Sequence, residues 1–356
     1  MEALPPPWDP DRDDTLACVA VRPETHDVST FVFAPLEPRL FRFLPGQFMT
    51  FELDGPGGAG VQRCYTIASP PTRPWRIEVT AKRAGGGMGS TWLHEAMRPG
   101  VRVRASGPMG DFVLAPQPGG RYLFLSAGSG ITPLMSMART LHDLGSDADV
   151  LFVHSARSPA DLVFADELAA MARRAAFRVV SIVEADAPGL RWDGLRGRLC
   201  AAMLPVLVPD LPGREVFCCG PAPYMAAVRT MLRAAGHDPE RYHEESFDFA
   251  AAPEPQPATA APDGLPSDAA TFNVRFDRIG RSISCPSGAT VLAAARAAGI
   301  RLPSACAKGV CGTCKSRLLS GTVAMRHGGG IRQREIDAGL TLLCCARPTS
   351  DLVVDR

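Results

Sequence analysis

The sequence has no excess of charge of either sign: 38 basic residues stand against 37 acidic ones. A balance this close exerts no global pull toward a polyanion, so nucleic acid is not an expected partner. Long apolar runs are missing too. The opening MEALPPPWDPDRDD is acidic and proline-rich where a secretion signal needs a basic stretch before an apolar one, and nothing later approaches about 18 consecutive uncharged apolar residues. With neither export signal nor membrane span to read, a cytoplasmic protein is expected. No internal repeat is found. The seven histidines, His154 and His243 among them, form no H-x-x-x-H pair and no His/Asp/Ser constellation, and are read as ordinary surface or core residues.

What is present is length, apolar content and cysteine. A chain of 356 residues, 46% of them hydrophobic, is too long for one ordinary core and divides into two or three domains. Eleven cysteines, an odd number without an export signal, argue against a disulfide framework, because thiols in the cytosol are kept reduced; metal or redox use is the better reading. Cys18, Cys64, Cys200, Cys218 and Cys285 lie in apolar strand-like or turn contexts, where a buried cysteine serves as a small hydrophobe.

The chain changes texture three times. Residues 1–115 carry short strand-like runs (TLACVAV, STFVFA, QFMTFEL, CYTIAS, RIEVTAK, VRVRAS) between Pro and Gly turns, the pattern of an antiparallel β-barrel or sandwich. Over 116–249, strands and helices alternate (YLFLSA, MSMARTLHDLG, VLFVHSA, FADELAAMARRA, FRVVSIVEA, EVFCCG, YMAAVRTMLRAAG), which predicts a doubly wound parallel sheet of α/β class. Residues 250–270 are almost wholly Ala, Pro, Asp, Ser and Gly, have no apolar period, and read as an extended tether. Residues 271–356 form a small α+β domain, with a capped helix over SGATVLAAARAAGI ending at Gly299 and late strands at LTLLC and DLVVD.

That last domain holds CAKGVCGTC. Four residues separate Cys306 from Cys311, two separate Cys311 from Cys314, and a further thiol follows in LLCCARP at Cys344 or Cys345. C-x4-C-x2-C…C is the spacing of plant-type two-iron two-sulfur sites. Gly309 and Gly312 allow the sharp bends that three thiolates around one small cluster require, and let backbone N–H groups approach the sulfurs. Structural zinc also takes four cysteines, but usually as paired C-x2-C knuckles.

Two further constellations point to bound phosphates. In QRCYTIAS, strand alternation puts Arg63 and Tyr65 on one face and Thr66 on the other. GGGMGSTWLHE, with Gly87, Met88, Gly89 and Ser90, leads into a helix whose free N–H groups could take a phosphate beside Arg63. In YLFLSAGSGITPLMSM a strand, a glycine turn (Gly128, Gly130) and a helix start (Thr132, Pro133) make a second such cradle, with proline suited to the first helical turn. EVFCCGPAPYM places Cys219, Gly220 and Pro221 at the carboxyl end of a strand, where open α/β sheets bind ligands.

Taken together, these motifs resemble the ferredoxin-NADP reductase superfamily. RCYT is similar to its flavin motif, GGGMGS to its flavin phosphate loop, GSGITP to its nucleotide loop and CCGP to its nicotinamide motif. SACAKGVCGTCKSRLLSG through LTLLCCARPTSDLVV resembles plant-type ferredoxin domains of β-grasp fold, and the resemblance implies Cys344 as the fourth ligand. The domain order is similar to reductase components of Rieske-type oxygenases, near the phthalate dioxygenase and glycine betaine monooxygenase reductase groups. The resemblance implies that NADH gives a hydride to FAD, which releases electrons singly to a 2Fe-2S cluster and on to a terminal oxygenase of demethylase or monooxygenase type. The cofactors carry this chemistry and the protein supplies position and electrostatics.

It further implies roles for residues. Thr66 lies near flavin N5, Arg63, Tyr65, Lys82 and Ser90 hold the flavin, and Cys219 sits against the nicotinamide. Phe247 stacks on the flavin, with Glu245 and Ser246 lining the transfer site in RYHEESF. Arg157, after VLFVHSA, is placed to accept the 2′-phosphate of NADPH, although HSARSPADLVFADEL is similar to NADH-using members. FMN is the alternative flavin. Lys308, Lys315 and Arg317 are candidates for a basic rim that steers an acidic partner. A monomer is expected. Two other readings are a reductase of a hybrid-cluster protein or soluble ferredoxin, and a zinc-stabilised binding protein without catalysis.

Overall fold

A computed structural model describes residues 4–9, 12–54, 60–85, 88–115, 120–247, 270–300, 302, 304, 309, 312, 314–327, 331 and 333–356. Gly87, Cys306, Lys308, Cys311 and nearly all of the expected tether lie outside the described residues. The chain forms two compact units, Met1–Phe247 and Asp248–Arg356.

The first unit begins with β1 (Thr15–Pro23), β2 (Val28–Pro35), β3 (Phe48–Asp54), β4 (Gly60–Thr66), β5 (Ile77–Lys82), α1 (Met88–Ala96) and β6 (Arg102–Met109). The strands pair antiparallel in the order β4-β3-β6-β1-β2-β5. A bridge from Ile67 to Val79 joins the two ends and closes the barrel, removing both edges. Alternating side chains then have one inside to fill. Phe33, Phe51, Met49, Ile77 and Val79 form its core, while Glu78 stays at the half-buried outer face.

The same unit continues with β7 (Arg121–Ala127), α2 (Ile131–Asp143), β8 (Asp149–Ala156), α3 (Ala165–Met171), β9 (Phe177–Val183), β10 (Leu195–Arg196), α4 (Leu204–Leu207), β11 (Glu215–Cys219), α5 (Ala222–Ala234) and β12 (Tyr242–Glu245). These strands make a parallel sheet in the order β10-β9-β8-β7-β11-β12. Both faces are covered, so YLFLS and VLFVH read as continuous apolar runs. Phe124 and Phe152 face α2 and α3 in one core, while Leu123, Leu125 and Val153 meet Met225 and Val228 of α5 in another. From β7 the chain winds outward through β8 and β9, then returns to lay β11 on the other side. The order therefore reverses between β7 and β11, where the carboxyl ends of the two strands open a crevice.

The second unit consists of β13 (Thr271–Phe276), β14 (Arg281–Pro286), α6 (Val291–Ala297), β15 (Lys315–Ser320), β16 (Val323–Met325), α7 (Gln333–Asp337), β17 (Leu340–Leu342), β18 (Ala346–Pro348) and β19 (Leu352–Val354). Five strands form a mixed sheet in the order β14-β13-β19-β15-β17, and β16 pairs with β18 in a separate ribbon. Thr290 caps α6 by accepting the Ala293 N–H. Gly299, at φ +70°, ends that helical stretch in the left-handed region, as its sequence predicts. Among the described residues no helix is long and apolar enough to cross a membrane.

Of the five cysteines read as core, Cys18, Cys218 and Cys285 are buried, Cys64 is half-buried and Cys200 is exposed. Cys200 departs from the expectation because Leu199 takes the inward position and the chain turns immediately after it.

Candidate functional site

On the barrel, β4 carries Arg63, Tyr65 and Thr66. The first turn of α1 rests on Arg63: a methyl on Gly89 would lie 2.6 Å from Arg63 Cγ, so only glycine lets helix and strand approach this closely. Ser90 accepts the Ala84 N–H at 3.1 Å, and Arg63 donates to the Gln62 carbonyl at 2.9 Å. Burial holds the Tyr65 phenol protonated, and its ring lies 6.0 Å from that of Phe51. Lys82, at the end of β5, is not free, since its Nζ lies 3.0 Å from Asp27. Arg157, just past β8, pairs with Asp161 at 3.1 Å and reaches Asp27 at 3.8 Å.

At the sheet's switch point the two glycine loops touch. A methyl on Gly130 would sit 2.4 Å from the Cys219 carbonyl oxygen, while Gly128, at φ +53°, has open space where a side chain would be. Thr132 donates to the Ser129 carbonyl at 3.2 Å, and Pro133 stands in the first turn of α2, where its missing N–H leaves no helical bond unmade. Gly220 is covered by the Tyr224 ring and Ala127, and Pro221 leads into α5.

Three strands then bring three reactive groups together. Cys219 is in register with Ser126 on one side and Glu245 on the other. Glu245 has one carboxyl oxygen, Oε2, sealed from solvent without a polar partner. Burial pushes this carboxyl up to about 8, against a hydrogen bond from Thr66 of the barrel. The Cys219 thiol is fully buried and held well above its ordinary pKa, first by burial and then by the neighbouring Glu245 charge, so it is a neutral thiol. Ser246 and Phe247 follow directly, and Phe247 packs half-buried against a core that includes Phe112, Phe217 and Cys219.

In the second unit Cys314 and Cys344 are buried, unlinked, and hydrogen-bonded as acceptors. Gly309 donates its N–H to Cys344 Sγ at 3.2 Å, and the Cys344 N–H points at Cys314 Sγ at 3.4 Å. Gly309 and Gly312 adopt φ of +70° and +73°, the bends the motif requires. Cys345 turns its Sγ toward the Leu342 carbonyl at 3.6 Å.

Three stretches match known domain families: an oxidoreductase FAD-binding domain over residues 18–114, an oxidoreductase NAD-binding domain over 124–230 and a 2Fe-2S iron-sulfur cluster binding domain over 274–349. The glycine betaine monooxygenase reductase subunit of Pseudomonas aeruginosa is 43% identical over 95% of this chain and 94% of its own length. A stachydrine N-demethylase reductase subunit from Rhizobium meliloti is 41% identical, covering 96% of each chain. The chain belongs to the family of oxygenase reductase subunits. In structure, phthalate dioxygenase reductase aligns over 98% of this reductase and 100% of its own chain, at 26% identity and a TM-score of 0.59.

The residues of this reductase suit the three groups its domains imply. A glycine-floored crevice suits a dinucleotide, a helix start against an arginine suits a flavin phosphate, and two buried thiols receiving backbone N–H groups suit an anionic cluster. Of the residues expected in a basic rim, Lys315 is ion-paired and Arg317 stays exposed, while Lys308 lies outside the described residues. Lys315 is bound to Glu335 at 2.6 Å and Arg317 donates to the Ala338 carbonyl, because both project back along β15 onto the α7 turn. Sequence reading also missed polar groups under the crevice. His154, read as ordinary, is fully buried with Nδ1 2.7 Å from Ser126 Oγ, and burial lowers its pKa to about 4. Tyr224, beside Gly220, is likewise sealed, and neither its hydroxyl nor that of Ser155 has a hydrogen-bond partner among the described residues. Only the pattern of three strand ends meeting at one crevice could have pointed to them.

Proposed function

We propose that this reductase works in the cytoplasm and carries electrons from NADH to a Rieske-type terminal oxygenase of demethylase or monooxygenase kind. Bound together, the three groups would turn a two-electron donor into single electrons, the flavin accepting the pair and the cluster relaying them singly. Every other role falls to the chain. Arg63, Tyr65, Gly87, Met88, Gly89 and Ser90 hold the flavin, and Phe247 packs against its ring with Ser246 beside it. Gly128, Gly130, Thr132, Pro133, Gly220 and Pro221 cradle the dinucleotide. Cys306, Cys311, Cys314 and Cys344 ligate the irons.

The observation that carries this reading is the convergence of Thr66, Cys219 and Glu245, one from the barrel and two from neighbouring strands of the parallel sheet. At that junction a ring held by the barrel and a ring held by the sheet can meet. Thr66 offers a hydroxyl, Cys219 a neutral apolar face, and Glu245 a carboxyl that holds its proton at neutral pH. Arg157 supports NADH over NADPH, since two carboxylates already occupy it. Cys344 is favoured over Cys345 as a ligand because it receives the loop's N–H.

Anaerobic titration tests the reading. NADH should bleach both the flavin and the iron-sulfur absorption, NADPH far more slowly, and the released flavin should be FAD. In C314S and C344S the iron-sulfur band should be lost while NADH still bleaches the flavin, whereas C345S should keep both. A colourless, zinc-loaded protein would overturn the proposal.

A further inference from the structure

We infer that the β16–β18 ribbon is a docking face for an acidic protein surface, with Arg326 and Arg347 as its anchoring cations; this rests on the proposed transfer of electrons through the cluster to a protein acceptor. In the second unit the other cations whose side chains are described are engaged, Arg281 with the Ala298 carbonyl, Arg296 with Ser304 and Arg356 with Ser316 among them. Arg275 and Arg278 pair with Asp277 and Asp355, Arg317 binds the Ala338 carbonyl, and Lys315 binds Glu335. Arg326 and Arg347 are exposed, and among the described residues neither has an ion pair, a hydrogen bond or a ring contact.

The two stand together. Ala324 is in register with Arg347, both face outward, and Arg326 lies two residues beyond Ala324 on that side. Such diagonal neighbours are about 7–8 Å apart, so two like charges raise one another's energy unless an anion is supplied from outside. The nearby acids are engaged elsewhere, Asp351 with the Asn273 N–H and Glu335 with Lys315.

The ribbon also borders the sulfur ligands. Met325 Sδ accepts the Leu342 N–H at 3.2 Å, which fastens β16 to the strand leading to Cys344. His327 backs directly onto Gly309, where an added methyl would meet its Cα at 3.0 Å, and Gly309 donates to Cys344 Sγ. An outward pair of cations suits the acidic face of a protein, which it would steer to within reach of the cluster.

Native cytochrome c, which is basic, and its succinylated form, which is acidic, test this with the full-length holoprotein and NADH. At an ionic strength of roughly 10 mM, where screening is weak, the succinylated form should be reduced faster, and salt should erase the preference. R326E/R347E should reverse it, changing the ratio of the two rates roughly tenfold, with R326Q/R347Q between. Flavin bleaching by NADH and the iron-sulfur spectrum should be unchanged in both variants. An unaltered ratio in R326Q/R347Q and R326E/R347E with intact spectra overturns the docking face. If the flavin bleaches but neither cytochrome is reduced, the exit of electrons through the cluster to a protein fails, and the docking face fails with it.

Discussion

Glu245 is an acid kept from ionising by its surroundings, and that has a consequence for stability. Its carboxyl rises from an ordinary 4.5 to about 8 because burial disfavours the charge more than the Thr66 hydrogen bond supports it. The folded chain therefore holds a proton that the unfolded chain releases between those values. Stability from this group is complete below pH 4.5 and is lost as pH rises toward 8, with a slope of up to about 1.4 kcal/mol per pH unit. Denaturant unfolding of the cofactor-free protein between pH 5 and 8 should show that slope, and E245Q should flatten it. Arg157 offers a second test. Asp27 and Asp161 neutralise it, so D27N/D161N should free it for a 2′-phosphate and raise kcat/KM for NADPH about tenfold, measured by flavin bleaching. The motif RCYT gives Arg63 and Thr66 directly, and RYHEESF gives Glu245. The carboxylates around Arg157 come from separate loops, and no spacing in the sequence joins them.

Among the elements, the strand-turn-helix units were legible because each runs to one period: alternation in the barrel, continuous apolar strands with amphipathic helices in the parallel sheet. Less legible was contact between loops. Gly130 takes an ordinary helical φ of −65°, so nothing in its backbone demands glycine; the demand comes from the Cys219 carbonyl, which an added Cβ would approach to 2.4 Å. G130A must push the β7 and β11 loops apart, an overpacking strain of about 1–3 kcal/mol. That strain falls on the dinucleotide crevice. KM for NADH should rise roughly tenfold, while the flavin stays bound and its spectrum unchanged; an unaltered KM would mean that the two loops do not meet in solution. The closing bridge of the barrel, Ile67 to Val79, is equally invisible in sequence, because it pairs a residue just past one strand with the middle of another.

At the scale of the molecule, the barrel and the parallel sheet of the first unit are joined by a buried arginine that no motif announces. Arg139, on α2, is almost fully enclosed. It donates to both oxygens of Glu167 at 2.8 and 2.6 Å, and from Nη1 to the Ala68 carbonyl of the barrel at 2.8 Å and to Glu78 at 3.2 Å. Its guanidinium also sits 4.8 Å over the ring of Phe164. Ser136, one turn earlier, donates to the Ser69 carbonyl at 2.8 Å, so a single helix face binds the barrel twice. Within a helix reading of MSMARTLHDLG the arginine looks like a solvated position, since its burial depends on a barrel strand some sixty residues away. R139M keeps the volume but strands the Glu167 carboxylate and the Ala68 carbonyl, and leaves Glu78 only its pair with Arg22. Breaking such a pair costs about 3 kcal/mol, at the low end because Glu167 remains partly exposed. At roughly 2–4 °C per kcal/mol for a unit of this size, calorimetry should find its melting transition lowered by roughly 6–12 °C. E78Q/E167Q/R139M should recover much of the loss, because it removes both carboxylate charges along with the arginine; recovery separates a penalty of unpaired burial from a simple loss of packing, which the triple variant would leave in place.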